Sequence, residues 1–199
     1  SNGEYLAFLD ADDAWLPEKI EKQVELLISN PELGLVYVNV MEIDGEGREI
    51  NERSDGLSGW VGKDLLLFER PVVLGGGSGV MIPRTVFDQV SGFDPQMSTS
   101  ADWDLYFRIG SRFPVDFVSE KLLRYRIHNS NMHGNIAVME HDMVLGFEKA
   151  FSSGAVAPSR ECYGNLHKTL AGSYFNAGKY RDFVRHTVLS VWNRPSHIA

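Results

Sequence analysis

The sequence predicts an α/β fold: a mixed sheet with flanking helices over residues 3–134, followed by a purely helical segment over residues 135–199. Three observations carry this expectation. Short apolar runs end abruptly in polar or turn-forming residues, as buried strands do. Between them lie stretches whose apolar residues recur at helical spacing. After residue 135 the strand patterning stops and only helical periodicity remains.

Taken in order, Tyr5–Leu9 reads as a buried strand, central and parallel, that stops at the loop Asp10-Ala11-Asp12-Asp13. Pro17 suits the first position of a helix and Glu18 its first turn. Ile20, Val24, Leu27 and Ile28 supply the helical spacing, and Pro31 ends it. Leu35–Val40 is a second strand, Asp44–Gly47 a turn, and Arg48–Ile50 pairs back as a hairpin. Residues 51–62 are polar and Gly-rich, as in a surface loop, and Lys63–Glu69 is a short helix. Gly75–Gly79 reads as a flexible loop leading into a strand at Val80–Ile82. A short helix at Thr85–Val90 is closed by Ser91-Gly92. Asp102–Arg112 forms a helix with Leu105, Ile109 and Phe113 inward, before two strands at Val115–Val118 and Leu122–Ile127. Three helices then run through Ile136–Phe151, Arg160–Asn176 and Lys179–Trp192. Leu170–Tyr180 resembles the helix-turn-helix of a tetratricopeptide unit. One such unit cannot make a solenoid, so a helical hairpin packed on the main domain is expected.

Composition narrows the function. The 199 residues carry 19 Lys and Arg against 27 Asp and Glu, a net charge of −8. That surface argues against nucleic acid as a partner, since phosphate contacts need clustered cations. Hydrophobic residues at 43% and charged residues at 23% fit a folded globular chain. No apolar run approaches the roughly 18 residues of a membrane-spanning helix. A single cysteine, Cys162, excludes an intramolecular disulfide and suits the reducing cytoplasm; it reads as a small apolar helix residue. Arg181, Arg185 and Arg194 leave open a peripheral contact with the inner face of a membrane. With no initiator Met, the chain enters a strand almost at once, so we expect a segment of a longer polypeptide.

Three places hold residues with chemical potential. The first is Asp10-Ala11-Asp12-Asp13, three carboxylates in four residues at a strand end. Their mutual repulsion is relieved by a divalent cation, and hard oxygen ligands suit Mg2+ or Mn2+. A calcium loop is excluded by Trp15 at the position that needs glycine. Asp10 and Asp12 also match the paired aspartates of a haloacid-dehalogenase-type phosphatase, although Ala14 stands where that motif has Thr or Val. The second place is Ser98–Leu105, where Asp102 and Asp104 open a helix and Thr99 and Asp102 have capping-box spacing. Asp102 is a candidate general base there, and Trp103 offers a flat face to a sugar ring. The third is Leu123–His133, where His128 ends a strand.

In this order, the segments resemble the family 2 glycosyltransferases of GT-A (Rossmann-like) fold. The matching text is Gly3–Asp13, then Gly79–Arg84 with Val90–Asp94, then Ala101–Leu105 with Arg108, then Tyr125–His128. It covers roughly residues 3–133 and implies a partial GT-A domain. The resemblance implies that Asp10 lies nearer the nucleotide ribose and that Asp12 and His128 bind a Mn2+ or Mg2+ cofactor. It makes Asp102 the base that deprotonates the acceptor hydroxyl, with inversion at the anomeric carbon. Asp13, Gly76, Gly77, Ser78 and Trp103 would border the substrates, and Arg126 would reach the diphosphate or form an ordinary salt bridge. The implied partners are a nucleotide-sugar donor, with a UDP-sugar favoured, and a saccharide or other hydroxyl acceptor, as in polysaccharide biosynthesis.

Ala101 departs from the Glu frequent at that position in the family. The family's nucleotide-binding βαβ units precede the Asp-x-Asp strand, so the resemblance implies that this chain lacks the base pocket and is inactive by itself. There is neither a Gln-x-x-Arg-Trp motif nor a run of membrane helices, which favours single addition over processive synthesis. Two alternatives stand beside this reading: a phosphatase with Asp10 as nucleophile and Asp12 as acid, and a non-catalytic binding module whose tail docks a partner.

Overall fold

The computed structural model describes residues 2–127, 135–154, 157 and 159–198. In chain order the elements begin with β1 (Tyr5–Ala7), β2 (Ala14–Trp15), α1 (Lys19–Ser29), β3 (Leu35–Ile43) and β4 (Glu49–Arg53). Next come α2 (Gly62–Leu67), α3 (Gly76–Gly79), β5 (Met81–Pro83), α4 (Arg84–Gln89), α5 (Ala101–Gly110) and β6 (Val115–Arg126). The last are α6 (Ile136–Ser152), α7 (Arg160–Asn176), α8 (Tyr180–Asn193) and a 3-10 turn at Pro195–Ile198. The mixed α/β architecture, with flanking helices and a helical C-terminal part, is the one expected from the sequence.

Among the described residues one six-stranded sheet has the order β1-β5-β3-β6-β2, with β4 paired to β3. The sheet is built around β3, whose Leu35–Val38 are fully buried. Its long partner β6 runs parallel to it, and every other pairing is antiparallel. The first strand therefore differs from expectation. It ends at Ala7, pairs antiparallel with β5 and lies at the end of the described order, with Leu9 48% exposed. An apolar run this short does not distinguish a central strand from an end one.

The two strands expected near residues 115 and 122 are one continuous strand. Its register against β3 slips on either side of Asn39. There the Asn39 amide donates 2.8 Å to the Ser119 carbonyl, which serves a backbone group that the ladder leaves over. The polar stretch Ser119-Glu120-Lys121 breaks the pattern in sequence without breaking the strand. Similarly, β4 runs to Arg53, into the stretch expected as loop. The glycines at 75–79 are not a loose loop. Gly76–Gly79 form one helical turn in which Ser78 and Gly79 are buried. A side chain at 79 would come within 2.5 Å of the Leu74 carbonyl, so the close approach there requires glycine.

Helix α1 starts two residues later than Pro17 suggests, after Glu18 in a left-handed conformation (φ 69°). It buries an unexpected face. Lys19, Gln23 and Leu27 point inward, while Ile20 and Ile28 are exposed. The reason is the backbone that the helix covers. Gln23 Nε2 donates to the carbonyls of Val36 and Gly79, both at 3.0 Å. Lys19 Nζ donates 2.8 Å to Gln23 Oε1 and sits 4.5 Å over the Trp15 ring. Apolar residues at 19 and 23 would leave those carbonyls without donors.

The helices of the C-terminal part share the core of the sheet. α6 packs on α5, and α7 packs on α2 and α6. Phe147 of α6 meets Phe68 and stacks on Trp103 at 5.6 Å. Asn165 of α7 donates 2.6 Å to the Leu67 carbonyl. Buried Cys162, Leu166 and Leu170 belong to the same apolar cluster as Leu35 and Val36 of the sheet. α7 and α8 form the expected hairpin, turned at Gly178 (φ 70°). Glu140 of α6 binds both, accepting from Tyr174 Oη at 2.6 Å and Arg185 at 2.5 Å. No described helix is long and apolar enough to cross a membrane.

Two outcomes follow. Burial pushes the Lys19 ammonium down to about 7, while the unfolded lysine titrates near 10.4. Between these values the unfolded chain holds the extra proton, so stability rises with pH across that window and is lowest and flat below it. Urea unfolding at pH 6.5 and 9.5 should show this gain in the wild type and a smaller gain in Lys19→Met; equal gains would refute the assignment. Phe147→Ala should cost about 3–5 kcal/mol in one cooperative transition. A biphasic melt with the sheet intact would show instead that the C-terminal helices fold independently.

Candidate active site

The aspartate loop is pinned from three sides. β1 delivers it, and β2 fixes its exit by pairing Ala14 and Trp15 with Arg124 and Leu123 of β6. The Asp10 amide donates 3.0 Å to Ser78 Oγ on α3, and the Trp15 indole donates 2.8 Å to the Ser78 carbonyl. At the far end, the Arg126 amide donates 2.8 Å to Asp13 Oδ1. The Arg126 side chain binds backbone: its Nε donates 2.9 Å to the Asp12 carbonyl, and its Nη1 donates to the carbonyls of Asp44 and Gly45 at 2.8 and 3.0 Å. It thus ties the aspartate loop to the turn between β3 and β4.

Asp10, Asp12 and Asp13 line a cavity of about 480 Å³. Its other walls include Gly77, Ser98, Asp102 and Arg126. Residues about ninety positions apart in the chain therefore meet around one space. A second cavity, about 780 Å³, adjoins the first and shares Gly76, Asp102 and Tyr125 with it. Asp102 stands at the boundary between the two. Gly76 lies beside it: its backbone is left-handed (φ 49°), which favours glycine, and a Cβ there would be in ordinary contact with Asp102 Oδ2 at 3.7 Å.

Asp102 sits in the first turn of α5, where its Oδ1 accepts 2.7 Å from the Trp103 amide. The expected capping box is not formed. Ser100 is the N-cap and its side chain makes no cap bond, while Thr99 Oγ1 turns to Asp142. Trp103 lines the larger cavity but is committed to the core. Its indole donates 3.2 Å to the Leu65 carbonyl, and its ring stacks on Phe107 and Phe147. His128, two positions beyond the end of β6, lies outside the described residues.

Burial raises the Asp13 carboxyl above its usual range, against the Ser78 hydroxyl and the Arg126 amide, which favour the charged form. Among the described residues Asp13 Oδ2 is buried without a hydrogen-bond partner, and Asp10 and Asp12 add their charge to the same space. Among the described residues no three His, Cys, Asp or Glu side chains converge to hold an ion alone. Two carboxylates of hard oxygen nevertheless fit a Mg2+-type cation that keeps water and phosphate oxygens as its other ligands.

Three residues of this region have no role assigned from the sequence, although Tyr125 belongs to the matching segment Tyr125–His128. Burial and the charges of Asp102 and Asp10 hold the Tyr106 hydroxyl protonated well above its usual range, and among the described residues that hydroxyl has no partner. One helical turn separates Tyr106 from Asp102, which is the only sequence signal for it. Tyr125 lines both cavities, and burial pushes its hydroxyl up to about 12. Asp142 of α6 is 2% exposed and accepts from the amides of Ser98 (2.8 Å) and Ser100 (3.2 Å). Burial opposes its charge, but those amides outweigh it and hold the carboxyl below the usual range. Its signal was an acidic residue on the inward face of a helix, beside Met143 and Gly146.

Comparison with known proteins shows what the chain is similar to. An uncharacterised glycosyltransferase of Methanocaldococcus jannaschii is 28% identical over 130 residues, 65% of this chain and 44% of that protein. Another from a Nostoc species is 29% identical over 141 residues, 69% of this chain and 44% of that protein. The chain spans less than half the length of these two relatives. A crystal structure of S. aureus TarS 1-349 overlays with a TM-score of 0.48 and 9% identity, over 98% of this chain and 68% of that one. A family model described as Glycosyltransferase like family 2 matches residues 1–187, so the chain belongs to that family.

Proposed function

We propose that this chain carries the metal and acceptor side of an inverting, metal-dependent glycosyltransferase. It moves a sugar from a nucleotide-sugar donor, with a UDP-sugar favoured, to a saccharide or other hydroxyl acceptor. The observation that carries the reading is the position of Asp102, on the wall common to two adjoining cavities, one of which holds the aspartate loop. The smaller cavity takes the donor diphosphate and its sugar, and the larger takes the acceptor.

In this mechanism Asp102 accepts the proton of the acceptor hydroxyl as that oxygen attacks the anomeric carbon. The bond from that carbon to the diphosphate oxygen breaks, and its electron pair leaves with the nucleoside diphosphate. Attack from the face opposite the leaving group inverts the configuration. Asp10 faces the nucleotide, and Asp12, with His128, would hold Mn2+ or Mg2+, which would supply positive charge opposite the diphosphate. Asp13 and Arg126 hold the loop in register, and Gly76, Gly77 and Ser78 let backbone approach the sugar closely. Family membership favours this over the aspartyl-phosphate and binding-module alternatives.

Two measurements test it. Thermal shift with Mn2+ and a nucleoside diphosphate, against each alone, should show stabilisation that needs both and is lost in Asp12→Ala. A folded chain with no shift would mean that these residues make no donor site by themselves. In the longest active form of the polypeptide, Asp102→Asn should lower transfer about 10²–10⁴-fold with donor binding retained. Wild-type rates in that variant would remove Asp102 as the base.

A further inference from the structure

We propose that Asp142 is a positioning residue of the transfer reaction: from α6, it holds the loop Ser98–Ser100 and so sets Asp102 between the two cavities. This rests on the reading of Asp102 as the base.

One oxygen of Asp142 does the holding. Its Oδ2 accepts from Ser98 N at 2.8 Å, Ser100 N at 3.2 Å and Thr99 Oγ1 at 3.3 Å. A helix N-terminus presents amides with no internal partner, which a side chain at the N-cap ordinarily satisfies. On α5 the N-cap side chain makes no such bond. The first-turn amide of Trp103 goes to Asp102 itself, and a carboxylate from a helix more than forty residues later gathers the amides of Ser98 and of the N-cap Ser100, just before the first turn. Charge-assisted bonds of this kind are shorter and stronger than neutral ones. The same three residues stand beside the chemistry. Ser98 and Thr99 line the aspartate cavity, and Asp102 follows Ser100 by two positions. α6 is in turn locked to α5 by the stacking of Phe147 on Trp103. The C-terminal helices therefore set the geometry of the site through one buried anion. On the other oxygen, His141 Nδ1 lies 3.4 Å from Oδ1.

The test compares wild type, Asp142→Ala and Asp142→Asn, the last keeping an acceptor oxygen. If the alanine variant does not fold, Asp142→Ser takes its place. Amide exchange by mass spectrometry should accelerate at residues 98–104 about tenfold in Asp142→Ala, with β3 and β6 unchanged, and be largely restored in Asp142→Asn. The Mn2+ and nucleotide shift should persist. kcat should fall at least tenfold while the donor KM stays within about twofold, and Asn should recover most of the loss. Unchanged exchange at 98–104, or faster exchange with unchanged kcat, overturns the proposal. kcat and KM are read in the longest form of the polypeptide; if its wild type transfers nothing, the transferase reading is at fault. The 13C titration curve of the Asp102 carboxylate, measured in the same proteins, then decides: an identical curve in Asp142→Ala overturns the positioning role.

Discussion

The hydrogen bond from the Asp10 amide to the Ser78 hydroxyl joins segments 68 residues apart, and the site depends on it. Three carboxylates in four residues repel one another, and within the loop a backbone bond from the Asp13 amide to the Asp10 carbonyl, at 3.2 Å, opposes that repulsion. Ser78 supplies an oxygen to the loop's first amide and a carbonyl to the Trp15 indole at its far end. The loop is thereby clamped on a single glycine-rich turn. That turn also carries Gly76, which lines both cavities beside Asp102. Aspartate loop, glycine turn and Asp102 are thus positioned as one unit.

Beneath that unit runs a buried polar chain. Trp15 stacks under Lys19, Lys19 bonds to Gln23, and Gln23 feeds the carbonyls of Val36 and Gly79. It connects the central strand to the same turn that holds Asp10. A buried ammonium with lowered proton affinity opposes folding at neutral pH. Here it is set against donors for backbone groups that the sheet cannot serve. The arrangement makes the floor of the site rigid where an apolar helix face would leave unpaired carbonyls.

The C-terminal helices contribute to the site from the other side. Phe147 enters the aromatic stack behind Trp103, Thr169 of α7 forms part of the wall of the larger cavity, and Asp142 gathers the loop before α5. The division at residue 134 marks a change of pattern in the sequence. The apolar cluster runs across it, because α5 and α2 expose faces that only α6 and α7 cover.

Much of the site was legible in the sequence because its parts are local. Asp10, Asp12 and Asp13 share one loop, Asp102 opens a helix, and the glycines at 75–79 announce close backbone approach. Strand and helix periods located the elements, and the order of the motifs pointed to the family. The sequence by itself determined which residues bear chemistry, since charge, hydroxyl and glycine are properties of single residues. Tertiary structure decided what they touch. It placed the first strand at the sheet end, merged two strands across the Asn39 slip, and turned Lys19 and Gln23 inward in place of Ile20 and Ile28. It brought the Arg126 guanidinium to the carbonyls of Asp12, Asp44 and Gly45, and Asp142 to Ser98. Each of these outcomes is set by a partner far away in the chain, where an unpaired backbone group or a buried charge had to be satisfied, and a local pattern carries no record of such partners.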